Sequence, residues 1–167
     1  MAAIGIEPVM ADPQVALAAL EEHLPKALRG VPFEHSGWQR PDPLTLLIPM
    51  WGLCDGSSDL FLLRLNFAYY PEWPPSAKFI NPLTKAYDHA ADLTWLPKIE
   101  SHQRIQVHAF YNNQTQLICS STTLEFYQVR HGVEPRDVWD ARTQNFASTL
   151  NAIRDGLRPQ TYRGRMG

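Results

Sequence analysis

The sequence has few cysteines, no excess of charge of one sign and no long apolar run, and each of these shortages excludes a class of protein. Two cysteines, Cys54 and Cys119, allow at most one disulfide, and a reducing cytosol argues against that one. The formal net charge of −2 gives no electrostatic case for binding nucleic acid. No apolar run approaches the roughly 20 residues that a membrane-spanning helix needs. The composition therefore points away from a disulfide scaffold, a nucleic-acid binder and a membrane protein.

The composition is that of one folded domain. The chain has 167 residues, of which 44% are hydrophobic and 19% charged, enough for a sizeable core. Residues 1–10 lack the basic segment followed by an apolar segment that a signal peptide requires, so we expect a cytoplasmic protein. We expect a flexible N-terminal arm over 1–11, a domain over 12–159, and a solvated basic C-terminal tail over 160–167.

Apolar periodicity divides the chain into a first helix, a series of strands and a last helix. Asp12 and Pro13 are typical of a helix start, because aspartate can accept a hydrogen bond from a free helical amide and proline fits the first position. Strands are predicted over 33–38, 44–53, 60–67, 77–80, 104–111 and 116–127, and the last helix over 137–157. Since successive strands joined by short turns favour an antiparallel meander, the predicted fold class is α+β.

A proline-rich segment follows the strand predicted over 60–67. Residues 70–79 read YPEWPPSAKF, and Asn81 and Pro82 come next. Because prolines cannot donate into a sheet, they direct the chain off one strand and stiffen the link to the next. This segment resembles the Y-P-x-x-P-P-x-x-x-F motif of ubiquitin-conjugating (E2-type) enzymes, in the strand context that the family gives it.

Two further segments carry the same resemblance. Leu117-Ile118-Cys119 looks like the active-site Ile-Cys of the family. Trp139, followed by TLNAIRDGLRP over 149–159, resembles the family's tryptophan and the helix after it. The family's His-Pro-Asn tripeptide is missing: His108 precedes Cys119, but Ala109 and Phe110 follow it. The resemblance, which covers roughly residues 12–159, is to divergent bacterial E2-like proteins encoded beside ubiquitin-like and E1-like partners.

The resemblance implies both a fold and a reaction. The fold is that of ubiquitin-conjugating enzymes: an N-terminal helix, an antiparallel four-stranded meander and a C-terminal helix. The implied partners are an E1-like activating enzyme, a ubiquitin-like modifier and an amine on a target protein, with neither nucleic acid nor membrane. The enzyme would carry the modifier as a thioester, and it needs no cofactor of its own because ATP is used at the E1 step. The bacterial relatives suggest a role in antiviral defence.

The residues expected to carry this chemistry lie around Cys119. Cys119 is the predicted nucleophile, whereas Cys54, in an apolar strand, is assigned to packing. Asn113 or Asn112 could supply the amide that stabilises the oxyanion, or could form a plain turn. His108, with His89 as another counterpart of the missing histidine, could orient the site. His131 could fold back over Cys119.

Two tryptophans, Trp139 and Trp73, are expected to pack in the interior, and Trp73 has a second possible role. Trp139 is expected to pack the last helix on the sheet. Trp73 lies in the proline-rich turn, where it could be exposed and contact a partner ligase, although packing is the favoured role.

Other interpretations compete with a conjugating enzyme. A catalytically inactive E2 variant would keep the fold as a binding module for a ubiquitin-like protein, and the missing His-Pro-Asn favours it. A metal site is another interpretation, but no two of its candidate ligands have the short spacing that is usual in zinc sites. The candidates are His89, His102, His108, Cys119 and His131. A cysteine hydrolase is chemically possible and has no family signature here.

Overall fold

The N-terminal helix begins where the sequence predicts it. A computed structural model describes residues 5–100, 105–113, 115–129 and 131–167. Helix α1 spans Pro13–Ala27, and the Asp12 side chain accepts a hydrogen bond from the Gln14 amide as its cap. Of the predicted arm over 1–11, only the part from Gly5 is described, and the Ala11 amide donates to the Ala68 carbonyl. The flexibility of the arm stays a prediction.

Four antiparallel strands in chain order follow this helix, which confirms the predicted meander. They are β1 (Gln39–Asp42), β2 (Thr45–Cys54), β3 (Ser57–Asn66) and β4 (Ser76–Ile80). The β2–β3 turn is formed by Asp55 and Gly56, whose φ angles are 35° and 79°. Two residues with positive φ are what a tight hairpin turn needs, because they match the twist of the flanking strands.

One face of the sheet forms the core. Cross-strand pairs on this face, such as Ile48 with Leu63 and Leu63 with Phe79, are fully or almost fully buried. Leu20 of α1 and Leu150 belong to the same core cluster. Burial of this kind stabilises a fold by roughly 25 cal/mol per Å² of apolar surface. The core therefore holds the first helix, the sheet and the last helix together.

The first predicted strand is wrong. Phe33–His35 form a single 3-10 turn, and the strand begins only at Gln39. Ser36 is responsible, because its hydroxyl donates to the Phe33 carbonyl and accepts from the Trp38 amide, at 2.6 and 3.0 Å. A serine that binds the local backbone in this way competes with strand pairing.

A short second sheet and a hairpin follow the meander. The elements are a 3-10 helix (Ala90–Trp95), β5 (Pro97–Ile99), β6 (Gln106–Tyr111) and β7 (Thr115–Cys119), with β6 and β7 antiparallel. Residue 104, the predicted start of the first hairpin strand, lies outside the described residues. The second strand of this hairpin was expected over 116–127, which is too long, because β7 ends at Cys119.

Two helices follow β7. Helix α2 spans Leu124–Gln128 and helix α3 spans Phe146–Gly156. The last helix was predicted from residue 137 and begins later, because Asn145 caps it by accepting from the Ala147 amide. The α+β class with an N-terminal helix, a four-stranded antiparallel sheet and a C-terminal helix is nevertheless the observed architecture.

The basic C-terminal segment is part of the fold rather than a solvated tail. Strand β8 (Tyr162–Arg165) pairs antiparallel with β5. Tyr162 is fully buried, and its hydroxyl donates to the Asp59 carboxylate at 2.5 Å. Arg165 lies over the Phe61 ring, 4.7 Å from its centroid. Aromatic burial and the ion pair of Arg165 with Asp59 join this strand to the sheet.

Among the helices in the described part of the chain, none has the length and apolar character needed to cross a bilayer.

Candidate active site around Cys119

Cys119 lies at the point where the hairpin ends and the chain turns. It is the last residue of β7 and pairs with Gln106. Directly after it, the Ser120 amide donates to the Ile118 carbonyl, and the Thr123 hydroxyl lies within hydrogen-bond distance of the Ile118 and Ser120 carbonyls. The thiol is half-buried, and this burial raises the pKa of Cys119.

The loop after Cys119, residues 120–123, is held by hydrogen bonds from two buried side chains, those of Thr149 and Tyr127. The Thr149 hydroxyl of α3 donates to the Thr122 carbonyl at 2.8 Å. The Tyr127 hydroxyl donates to the Ser121 carbonyl at 2.8 Å and accepts from the Trp139 amide at 2.9 Å. Because both anchors lie in the buried interior, the backbone next to the thiol is held in one conformation.

A buried carboxylate attaches α2 to the start of β4. Glu125 is 2% exposed, and it accepts from the Ser76 hydroxyl at 2.5 Å and from the Ala77 amide at 3.2 Å. Desolvation raises the pKa of Glu125, while the Ser76 hydrogen bond and the charge of Lys78 oppose the rise. The helix beside the cysteine is thereby bound to the sheet through a polar contact.

The His131 side chain contacts the thiol. Its Nε2 lies 3.5 Å from Cys119 Sγ, and its Nδ1 lies 2.8 Å from the Gly132 carbonyl oxygen. The imidazole stacks on the Phe126 ring at a centroid distance of 4.4 Å, and the His131 amide donates to the Phe126 carbonyl. The expectation that His131 folds back over Cys119 is therefore met.

An open cleft begins at the thiol. It encloses about 530 Å³. Its lining includes Cys119, the adjoining loop, the segment after His131 and one face of α3 at Ala152. Three carboxylates, those of Glu134, Asp137 and Asp155, line it as well. A cleft of this size can hold an extended peptide segment, and its charge favours a cation.

The structure does not bring His108 into contact with the thiol. In the hairpin, His108 pairs with Leu117, so it is a diagonal neighbour of Cys119, roughly 7–8 Å away by strand geometry. Its ring lies edge-on to Tyr111, with centroids 5.4 Å apart. The orienting role predicted for His108 therefore has no contact to support it.

Asn113, predicted as the oxyanion donor, lies at the far end of the hairpin. It is exposed, and with Asn112 it forms the turn, at φ angles of 58° and 51°. Four strand positions separate Thr115 from Cys119, which corresponds to about 13 Å. Asn113 and Asn112 therefore form a plain turn and cannot reach an acyl group on Cys119 in this arrangement.

The remaining residues singled out in the sequence pack in or against the core. Cys54 ends β2 and packs against the core, as expected. Trp73 is only 5% exposed and meets the Tyr127 ring edge-on, so the exposed-contact alternative is wrong and packing is right. Trp139 is fully buried and donates its indole N–H to the Pro71 carbonyl at 2.9 Å.

The described residues also bear on the metal interpretation. Among them, no group of three or more His, Cys, Asp and Glu side chains is placed to hold a metal ion. Residue 102, one of the histidines considered, lies outside the described residues. His89 caps the 3-10 helix through its contacts with Asp92 and takes no part in the Cys119 cleft.

Sequence reasoning missed the residues that hold the site together. Glu125 and Thr149 act through partners far away in the chain, and Tyr127 joins Ser121 to Trp139, so no local pattern identifies these contacts. One signal was present: Thr123 immediately precedes Leu124-Glu125, and a threonine before such a pair is typical of a helix start. That signal would have ended the predicted strand near Cys119.

Comparisons of the chain with protein-family models, with curated proteins and with solved structures give no match.

Proposed function

We propose that this protein is an E2-type conjugating enzyme with a ubiquitin-conjugating-enzyme-like fold. Cys119 accepts the C-terminus of a ubiquitin-like modifier from an E1-like enzyme as a thioester. The modifier is then transferred to an amine on a target protein. In this proposal the chain is a bacterial, cytoplasmic transferase that acts in antiviral defence.

The observation that carries the proposal is one chain of hydrogen bonds. It joins the three segments on which the resemblance rests. The Trp139 indole donates to the Pro71 carbonyl, within the proline-rich segment. The Trp139 amide donates to the Tyr127 hydroxyl, which donates to the Ser121 carbonyl beside Cys119. Segments that are far apart in sequence thus meet next to Cys119, which lines a cleft.

The Cys119 cleft suits both substrates of the proposed reaction. A modifier tail is an extended peptide whose carboxyl end must reach the sulfur, and the cleft leads to the sulfur along α3. A target lysine arrives as a cation, and Glu134, Asp137 and Asp155 would attract it. The ammonium group must lose one proton before its nitrogen can attack the thioester carbonyl, and the nitrogen loses a second proton as the amide forms.

The proposal is tested with the proteins encoded beside this chain. The purified protein is mixed with a candidate E1-like enzyme, a ubiquitin-like protein and ATP, and separated on a gel without reductant. We expect an adduct that thiol removes, and a thiol-resistant ester in Cys119→Ser. Cys54→Ser is the matched control and should form the same adduct as the wild type.

The alternative is a catalytically inactive E2 variant that binds a ubiquitin-like protein. The distance of Asn113 from Cys119 favours it, because the site then lacks the expected oxyanion donor. The same experiment separates the two proposals. If the E1-like enzyme is charged and no adduct forms on Cys119, the conjugating function is rejected, and binding of the ubiquitin-like protein without an adduct would support the inactive variant.

A further inference from the structure

One contact of His131 fixes which of its ring nitrogens carries a proton. The Gly132 carbonyl oxygen, 2.8 Å from Nδ1, can only accept a hydrogen bond, so Nδ1 carries a proton. In a neutral imidazole the other nitrogen then has a free lone pair. That nitrogen, Nε2, lies 3.5 Å from Cys119 Sγ. The thiol proton and the lone pair therefore face each other.

The imidazole is held in this orientation by two further contacts. Its ring stacks on Phe126, with an interplanar angle of 24°. Its backbone amide donates to the Phe126 carbonyl at 3.0 Å. Phe126 belongs to α2, which the buried Glu125 attaches to β4. The short helix that positions the histidine also anchors the loop after Cys119, through the Tyr127 hydroxyl on the Ser121 carbonyl.

We propose that His131 is the catalytic base of Cys119, which makes the site a cysteine–histidine dyad for acyl transfer. The inference rests on the proposed role of Cys119 as the acyl acceptor. It adds to that role a residue and a proton path that the reaction of an E2-type enzyme does not by itself require. It also defines the substrate class by chemistry: a thioester or another activated acyl group.

The protons balance in both half-reactions. As Sγ attacks the acyl carbonyl of a donor thioester, Nε2 takes the thiol proton. The carbon–sulfur bond of the donor breaks, and Nε2 returns the proton to the departing thiolate. In the second step an amine attacks the Cys119 thioester, Nε2 takes a proton from the amine nitrogen, and Sγ leaves and recovers that proton. An amide and a free thiol result.

The burial of Cys119 makes such a base useful. A thiol whose pKa is raised by desolvation is almost wholly protonated at neutral pH, and the protonated form is a poor nucleophile. A base in contact with the thiol removes the proton only as the new bond forms. Half-burial thus keeps the thiol protonated at rest, and the contact with His131 provides the group that removes the proton during the reaction.

The test needs no protein partner. In a Cys54→Ala background, Cys119 is the only thiol, and its acetylation by a simple aryl thioester at pH 7 is followed by mass spectrometry. His131→Asn is the informative variant, because its amide can still donate to the Gly132 carbonyl while no group replaces Nε2. We expect the acetylation rate to fall on the order of 100-fold, the scale of general-base catalysis. His35→Gln, at an exposed site, should leave the rate unchanged.

A second variant separates catalysis from structure. In His131→Ala, added imidazole should accelerate acetylation by a larger factor than in the wild type, because it can occupy the space left by the ring. Equal rates in His131→Asn and the wild type, or no extra acceleration by imidazole in His131→Ala, would overturn the inference. The outcome is independent of the E1 experiment: acetylation that depends on His131 without any modifier adduct would reject the conjugating function and retain the dyad.

Discussion

Gly52 lies directly beneath the aromatic ring of Tyr162. A Cβ on residue 52 would come within 2.6 Å of the Tyr162 Cζ atom, well inside van der Waals contact. The glycine therefore makes room for the C-terminal strand, whose tyrosine is fully buried against the sheet.

We expect Gly52→Ala to destabilise the protein by about 1–3 kcal/mol, the usual cost of adding a methyl group to a packed site. The free energy of unfolding, measured in urea, gives the value. Gly132→Ala is a suitable control, because a Cβ there meets no atom within 4 Å. Equal stability of the two variants would show that Tyr162 moves aside at no cost.

Tyr127→Phe should both destabilise the fold and disturb the cysteine. The change leaves the buried Trp139 amide without its acceptor and the Ser121 carbonyl without its donor. A buried group left unpaired costs about 1–3 kcal/mol. We expect a loss of that size in urea unfolding and a lower rate of Cys119 acetylation in the folded variant.

The matched control for this prediction is Tyr111→Phe. No hydrogen bond of the Tyr111 hydroxyl is found among the described residues, so the variant should unfold like the wild type. If Tyr127→Phe also behaved like the wild type, the loop after Cys119 would not depend on this hydroxyl.

The stability should depend on pH through Glu125. Because its pKa is raised on folding, the folded protein holds this proton over a range where the unfolded chain has lost it. The contribution is fully present below the unfolded pKa, about 4.3, and is lost as pH rises through the folded pKa. Stability is therefore predicted to fall over that interval.

Glu125→Gln tests the prediction, since glutamine can accept from the Ala77 amide and donate to the Ser76 hydroxyl without ionising. In urea unfolding, we expect the free energy of unfolding of Glu125→Gln to exceed that of the wild type by more at pH 7.5 than at pH 5. Glu125→Leu should instead be less stable than the wild type at both pH values, because the Ala77 amide loses its acceptor. A constant difference between Gln and Glu would contradict the raised pKa.

Without its histidine, Cys119 should react as a thiol with a raised pKa. In Cys54→Ala/His131→Asn, we expect the rate of alkylation by iodoacetamide to increase with pH and to reach half its maximum above the roughly 8.5 of a free thiol. Burial sets this direction, because desolvation disfavours the thiolate. A midpoint below that of a free thiol would show that another group stabilises the anion.

Turns and helix starts can be predicted from the few residues that form them, whereas contacts between residues far apart in sequence cannot. Asp55-Gly56 and Asn112-Asn113 identify their turns because the residues that form the turn also determine its geometry. The start of α1 was read from Asp12 in the same way. The contact of His131 with Cys119 instead depends on where α2 lies, and α2 is fixed by Glu125 and Ser76, which are far apart in sequence. No short-range pattern encodes such a pair.

Because α3 contacts the loop after Cys119, the surroundings of this cysteine are completed only late in synthesis. The Thr149 hydroxyl holds the loop, and Ala152 and Asp155 form one wall of the cleft, so all three are synthesised after Cys119. While the chain is still on the ribosome, Cys119 emerges without its wall and without the hydrogen bond that fixes its neighbours. We expect such a nascent chain to have an ordinary cysteine there. Under the proposed function, acyl transfer would then begin only after α3 has been synthesised and has packed beside the loop.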